Sequence, residues 1–229
     1  RSLINCFCFF INGNSVSNAI SVSVFLAQLI NSNFILGKLI VITAPSGAGK
    51  TTIVRHLVKT FDFLGFSISA TTREKRNYEL DGKDYHFMTV EDFKKMRRQK
   101  KFLEWEEVYE NQFYGTLRSE VERIWREGKH IIFDVDVKGA KDIKKAYPNE
   151  TLAIFVKPPS VDELFARLRN RKTESEASLK KRFARSKREL KYEKKFDEVL
   201  INDDLKIALK EAEEMVINFT KNNNNISEV

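Results

Sequence analysis

The chain has 229 residues, 42% of them hydrophobic and 31% charged, which allows one domain of ordinary size with a full core and excludes a wholly disordered or fibrous chain. Lysine and arginine total 40 against 32 acids, a net charge of +8, and that sign of field suits phosphorylated partners, whether small molecules or nucleic acid. Both cysteines, Cys6 and Cys8, fall at the start, so no later disulfide or thiolate metal centre can form, and a reducing compartment, the cytoplasm, is expected.

Residues 1–36 are dominated by Ser, Asn, Phe and Ile, and no acid occurs before Asp62. A transit peptide shares that bias but carries several arginines, and here there is Arg1 alone. Asn12, Asn14, Ser17 and Asn18 interrupt the apolar run before it reaches the ~18 residues of a membrane span, so no membrane partner is expected. The segment reads as a loosely ordered extension, with organelle targeting as the alternative.

Lys38 to Thr43 is a short β-branched run that suits a strand buried on both faces, and it feeds into APSGAGKTT. The loop comprises Ala44, Pro45, Ser46, Gly47, Ala48 and Gly49, and a helix from about Gly49 to Thr60 follows it. Its small residues let successive backbone N–H groups converge on one anion, with the positive end of the helix dipole behind them. Lys50 would reach the β- and γ-phosphates as a point charge, the Thr51 hydroxyl can ligate Mg²⁺ carried with the nucleotide, and Thr52 continues the turn. A strand-to-helix turn that binds nothing is the alternative, and the intact Gly-Lys-Thr disfavours it.

From Lys38 onward strand-like and helix-like stretches alternate, the pattern of a parallel sheet flanked by helices. GFSISA (65–70) predicts one short strand, and 74–84 is charged and irregular. Thr89 with Asp92 predicts a capped helix start. FLEWEEV (102–108) alternates like a half-exposed strand of a small inserted sheet, and a helix is expected from Thr116 to Glu127. HIIFDV (130–135) and LAIFV (152–156) are buried-strand runs, and Ser160 with Glu163 caps the helix after the second. Residues 167–188 are densely basic, 196–201 predict a last strand, and 204–219 a closing helix before an Asn-rich tail.

Three further groups acquire meaning beside a phosphate loop. Ser69, Arg73 and Arg76 follow a strand end, where two arginines can grip a second phosphorylated ligand, although a solvated basic loop has the same composition. Arg167, Arg171 and Arg182 surround a Thr/Ser/Glu-rich connection that suits either a closing lid or an exposed helix laced with ion pairs. Asp134 and Asp136 leave the end of a buried strand, where ligands gather in open α/β sheets and where an acid can hold Mg²⁺ through water.

The APSGAGKTT loop, SISATTR followed by Arg76, DGKDYHF, FLEWEE, FYGT, FDVDVKG, the RL/NRKTES/KR series and VLINDDL occur in the order and nearly the spacing of guanylate kinases, and the chain resembles that family from about Lys38 to Phe219. YENQF (109–113) is one residue longer than usual, and Lys138 replaces a common Gln. The resemblance implies an α/β fold, a P-loop NTPase-like parallel sheet with flanking helices. A small GMP-binding β insert would span about 69–116 and a helical lid about 167–190, within a domain of 37–220 followed by a polar tail, 221–229. It implies that Ser69, Arg73, Arg76, Tyr85, Glu104, Tyr114, Thr116 and Asp136 hold GMP. Lys50, Arg167, Arg171 and Arg182 would act on the transferred phosphate, with Arg73 counted on both sides.

Residues 44–52 would bind ATP with Asn202 near its adenine, and Thr51 and Asp134 would hold Mg²⁺. The expected reaction is γ-phosphoryl transfer from MgATP to GMP or dGMP by a monomer, without a protein base because the acceptor phosphate oxygen is already ionised. A catalytically inactive guanylate kinase-like binding module is the main rival, and Lys50 and the basic series weigh against it. Nucleic acid is not expected as a partner, since no aromatics interleave with a basic surface.

Overall fold

A computed structural model describes residues 37–170 and 176–221; the extension 1–36, the stretch 171–175 that includes Arg171, and residues 222–229 lie outside the described residues. In chain order the strands are β1 (Leu39–Thr43), β2 (Leu64–Phe66), β3 (Ser69–Thr71), β4 (His86–Phe87), β5 (Phe102–Tyr109), β6 (Gln112–Leu117), β7 (His130–Asp134), β8 (Thr151–Lys157) and β9 (Glu198–Ile201). The helices are α1 (Lys50–Thr60), α2 (Val90–Arg98), α3 (Arg118–Arg126), α4 (Val137–Ala146), α5 (Val161–Arg169), α6 (Glu176–Glu189) and α7 (Leu205–Lys221), with a 3₁₀ turn over Leu190–Lys195.

Strands β2, β7, β1, β8 and β9 form a parallel sheet in that order. Every residue of β1 is buried, as its continuous apolar run requires of a central strand covered on both faces. Ile40 and Ile42 pack with Ile53, Val54 and Leu57 of α1 and with Ala208, Ala212 and Val216 of α7, while α3 and α4 lie against β7 and β1. Each such aliphatic side chain removed from water stabilises the domain by roughly 1.5 to 3 kcal/mol before the entropy of ordering is subtracted. Parallel strands need long crossovers, and each crossover helix leaves its loop at the carboxyl end of the sheet, where β1 delivers residues 44–49 and β7 delivers Val135 and Asp136.

The insert is a second sheet, ordered β4-β3-β6-β5, in which β5 and β6 form an antiparallel hairpin. One face carries Ala70, Phe102, Phe113 and Leu117 against Phe93 of α2, whose ring stacks on Phe102 at 4.3 Å and on Phe113 at 5.3 Å. Ser69 and Glu104 both pair in register with Thr116, so those three residues form one row across β3, β6 and β5.

Two expectations change. The single strand over 65–70 is two: β2 ends in the main sheet with Ser67 N–H donating to Ile132 O, and Ser69 begins the second sheet. Thr116 does not open a helix, because its backbone is committed to Glu104 and Ser69 on either side; α3 starts at Arg118 with no side-chain cap at Leu117. The capping signals at Thr89 and Ser160 behave as their spacing demands, each hydroxyl accepting from the N–H three residues on at 3.0 Å.

Candidate active site

Gly47 and Gly49 have φ of 93° and 95°, a left-handed conformation that disfavours side chains and turns the chain from β1 into α1. A Cβ on Gly47 would also come within 2.9 Å of Leu168 Cγ on α5. Gly49 occupies the N-cap of α1 without a side-chain cap, so no side chain competes with an anion for the N–H groups at the start of the helix. Lys50 Nζ lies 2.5 Å from Asp134 Oδ1 and donates to Val135 O at 2.9 Å, while Thr51 Oγ1 donates to Asp134 Oδ2 at 2.8 Å. A hydroxyl and a carboxylate side by side are hard oxygen donors, the set Mg²⁺ prefers when phosphate and water complete its shell. Among the described residues no group of three or more His, Cys, Asp or Glu could hold a metal by itself.

Asn202 is buried behind the loop and donates from its side-chain amide to Ala48 O at 2.8 Å. Its own backbone carbonyl accepts from Arg167 at 3.1 Å, and Arg167 also pairs with Glu163 on α5. Both residues therefore brace the phosphate loop from outside the cleft.

The cleft has a volume of about 300 Å³ and joins the loop to the inserted sheet, with Ala44–Gly47, Gly49–Thr52, Ser69, Tyr85, Glu104, Tyr114, Asp134, Asp136 and Arg182 on its wall. Glu104 is 7% exposed, and Thr116 Oγ1 donates to its Oε1 at 2.6 Å. Burial, reinforced by the charge of Asp136 and opposed by the Thr116 hydrogen bonds, pushes the Glu104 carboxyl up to about 7. Its Oε2 is so close to α4 that a Cβ at Gly139 would stand 2.6 Å away. Asp136 caps α4 by accepting from the N–H groups of Lys138 and Gly139.

Arg73 does not reach the wall of this cleft. Its guanidinium is held by both oxygens of Glu79, at 2.8 and 3.0 Å, with Nε donating to the Tyr114 hydroxyl at 3.2 Å. Arg76 donates its backbone N–H to the same carboxylate at 2.8 Å, and its side chain is turned to Tyr78. Glu79 is 4% exposed, and the Arg73 hydrogen bonds hold its carboxyl below the usual range despite burial. Burial pushes the Tyr85 hydroxyl up to about 12, so this residue stays a neutral donor beside Tyr114.

Glu79, Glu106, Arg185 and Glu189 belong to this constellation, and the sequence motifs do not single them out. Glu106 faces Asp136, and burial followed by the hydrogen bond and charge of that neighbour pushes Glu106 up to about 8. For Asp136, burial works in the same direction, yet the hydrogen bonds from Glu106 and Gly139 and the charge on Arg185 bring it below the ordinary range, so the shared proton resides on Glu106. Arg185 lies three positions after Arg182, on the same helical face, and that spacing is a usable signal; nothing local marks Glu79 in its irregular loop.

The guanylate kinase family model matches residues 36–218. The chain is 45% identical over 183 residues to a guanylate kinase of Porphyromonas gingivalis, covering 80% of this chain and 97% of that one. It is 47% identical over 174 residues to that of Salinibacter ruber, covering 76% and 92%. The fold is also that of a guanylate kinase crystal structure from Anaplasma phagocytophilum, with a TM-score of 0.65 at 24% identity, covering 82% of this chain and 88% of the other. No helix among the described residues is long and apolar enough to cross a membrane.

Proposed function

The chain belongs to the guanylate kinase family, and on that premise we propose how its residues divide the work of phosphoryl transfer. The protein is a nucleoside monophosphate kinase that moves the γ-phosphoryl of ATP to GMP, giving ADP and GDP. The observation that carries the assignment of roles is the cleft that joins the Lys50–Thr51–Asp134 group to Glu104 and Asp136.

ATP would lie along residues 44–52, its β- and γ-phosphates on free N–H groups of the loop, with Lys50 leaving Asp134 to follow the charge of the transferring group. Thr51 and Asp134 would hold Mg²⁺, which supplies neutralisation of the β- and γ-oxygens when bound. GMP would enter opposite, its guanine against Ser69, Glu104, Thr116 and Asp136 and its phosphate against Arg73, Arg76, Tyr85 and Tyr114. Arg73 and Arg76 would then exchange part of their hold on Glu79 for phosphate oxygens. Arg182, with Arg171, would stabilise charge at the transferring phosphoryl group from the lid side. Asn202 would act by bracing the loop rather than by touching the adenine, and Arg167 by bracing it rather than by acting on the transferred phosphate, since Ala48 O and Glu163 take their side chains.

The nucleophile is a GMP phosphate oxygen already ionised at neutral pH, so positioning and charge neutralisation suffice and no base is required. The groups named come from one chain, and the same reading takes a monomer in the cytoplasm as the working unit, with dGMP as a second acceptor. A coupled assay for ADP release tests the reading: ATP turnover should depend on GMP, be supported by dGMP and be absent with AMP. GMP-independent turnover would overturn it.

A further inference from the structure

Helix α6 presents Arg182, Arg185, Ser186 and Glu189 at the i, i+3, i+4 and i+7 positions of one face, and that face closes over the cleft. Arg182 is the residue on this face to which the proposed reaction gives a role. Ser186 Oγ donates to Ser46 O of the phosphate loop at 3.4 Å, a contact long enough to guide the helix but not to fix it.

Arg185 makes the firm connection. Nη1 donates to Val108 O at 3.2 Å and Nη2 to Asp136 Oδ2 at 3.2 Å, with Glu106 Oε2 at 3.7 Å from Nη2. Nε donates to Glu189 Oε1 at 2.6 Å, one turn further along its own helix, which holds the plane of the guanidinium. Three acceptors on three elements are thus met by one rigid fork, which an ammonium on a flexible stem cannot reproduce. Val108 and Glu106 belong to β5, the strand that carries Glu104, and Asp136 is the N-cap of α4 at the end of β7.

We propose that Arg185 is a positioning residue for phosphoryl transfer: by tying α6 to the acceptor strand β5 and to Asp136, it sets Arg182 at the height of the phosphate loop. The proposal rests on the reading that transfer takes place in this cleft. It makes the placement of Arg182 depend on the element that holds the acceptor base, so that the lid group is aligned where the insert is correctly seated. Arg185 stays charged in this role, because Glu189 and Asp136 outweigh the burial that opposes its charge. Glu106 Oε2 is buried without a hydrogen-bond partner, and the Arg185 guanidinium 3.7 Å away is the cation beside it.

The test is a double-mutant cycle on kcat with wild type, Arg182→Ala, Arg185→Ala and the double variant, each with its melting temperature and the KM of both nucleotides. Misplacing a catalytic group by about 1 Å can lower the rate by about 10²-fold, so Arg185→Ala should lower kcat by roughly 10 to 100-fold. KM for ATP should change by less than about 3-fold, because the loop that binds it is intact. Since Arg185 acts through Arg182, the double variant should be no slower than Arg182→Ala by more than about 3-fold. Arg185→Lys should keep the charge, lose the fork and remain below wild type. Wild-type kcat in Arg185→Ala, or single losses that multiply in the double variant, would overturn the proposal. If Arg185→Ala does not fold, the same cycle run with Arg185→Lys separates the same two outcomes, non-additive losses supporting the proposal and multiplying losses overturning it. Absence of GMP-dependent turnover in the wild type would defeat the underlying reading and this proposal with it, whereas a normal wild type with an indifferent Arg185 variant defeats this proposal alone.

Discussion

Lys50 Nζ lies 2.5 Å from Asp134 Oδ1, and the other oxygen of that carboxylate accepts from the Thr51 hydroxyl. One acid at the end of β7 therefore holds both side chains that a nucleotide phosphate and its ion would engage. The proposed donor half of the cleft is thus held by the protein's own contacts, and its lysine would have a partner to leave and to return to.

Replacing Lys50 with Ala should lower kcat by on the order of 10² or more, because the lost charge interacts most strongly with the transferring phosphoryl group. In the proposed placement GMP touches none of the atoms removed, so its dissociation constant should stay near the wild-type value. Steady-state kinetics with calorimetric GMP titration of the same folded variant checks both halves; unchanged turnover would remove Lys50 from the reaction.

Local signals carry the donor side. A buried strand, glycines at the positions with positive φ and Lys50-Thr51 at a helix start are contiguous, so the phosphate loop is legible from the sequence. The second strand of the hairpin is not: Gly115 and Thr116 imitate a helix entry, and cross-strand pairing to Ser69 and Glu104, which are remote in sequence, decides the matter. Distance in sequence also hides the partners of Arg185, since Asp136 and Val108 are 49 and 77 positions away. The resemblance points Asn202 at adenine, yet the atom that takes its amide, Ala48 O, is visible only in the folded chain.

Gly139→Ala sets two effects against each other. In a helix Ala is preferred to Gly by up to ~1 kcal/mol, so the backbone alone would gain. The new methyl would stand 2.6 Å from Glu104 Oε2, and Glu104 is held by Thr116, so the carboxylate must move out of register with the base. KM for GMP should rise by roughly 10-fold or more while KM for ATP and the melting temperature change little. A variant with unchanged KM for GMP would show that Glu104 does not need this placement.

Glu79→Ala should act on stability and acceptor binding together. The change strips two hydrogen bonds from a guanidinium that is 15% exposed and one from the Arg76 backbone, and breaking a buried pair from one side costs about 3 to 5 kcal/mol. Its carboxyl is lowered from an ordinary 4.5, so its contribution is present above that pH and is lost as the pH falls through the lowered value. Melting curves should therefore separate wild type from Glu79→Ala at neutral pH and converge in strong acid, and KM for GMP should rise as Arg73 loses its orientation. Parallel curves across that range would sink the linkage argument.

Glu104 should set both the choice of guanine and the pH at which the acceptor binds. Guanine presents N1–H and a 2-amino group side by side, two donors that one ionised carboxylate can accept; adenine has an acceptor at N1 and no 2-amino group. A polar cleft of this kind can reject the wrong ligand by roughly 10⁴ to 10⁵, because the buried acid is left unpaired. In the empty protein burial has raised this carboxyl from 4.5 to about 7, so the protonated form prevails in weak acid and must lose its proton to accept both donors. GMP affinity should accordingly strengthen as the pH rises through about 7, with proton release that calorimetry in buffers of different ionisation enthalpy can count. For stability the sign is the reverse: the raised value favours the fold fully below 4.5, and that contribution is lost as the pH rises through about 7. Glu104→Gln does not ionise, so its melting temperature relative to wild type should climb as the pH rises from 4.5 through about 7. The same variant should raise KM for GMP steeply, flatten its pH dependence and shrink the GMP-to-AMP ratio of kcat/KM. If that ratio survives in a folded Glu104→Gln protein, guanine is read by Ser69, Thr116 and Asp136 without it.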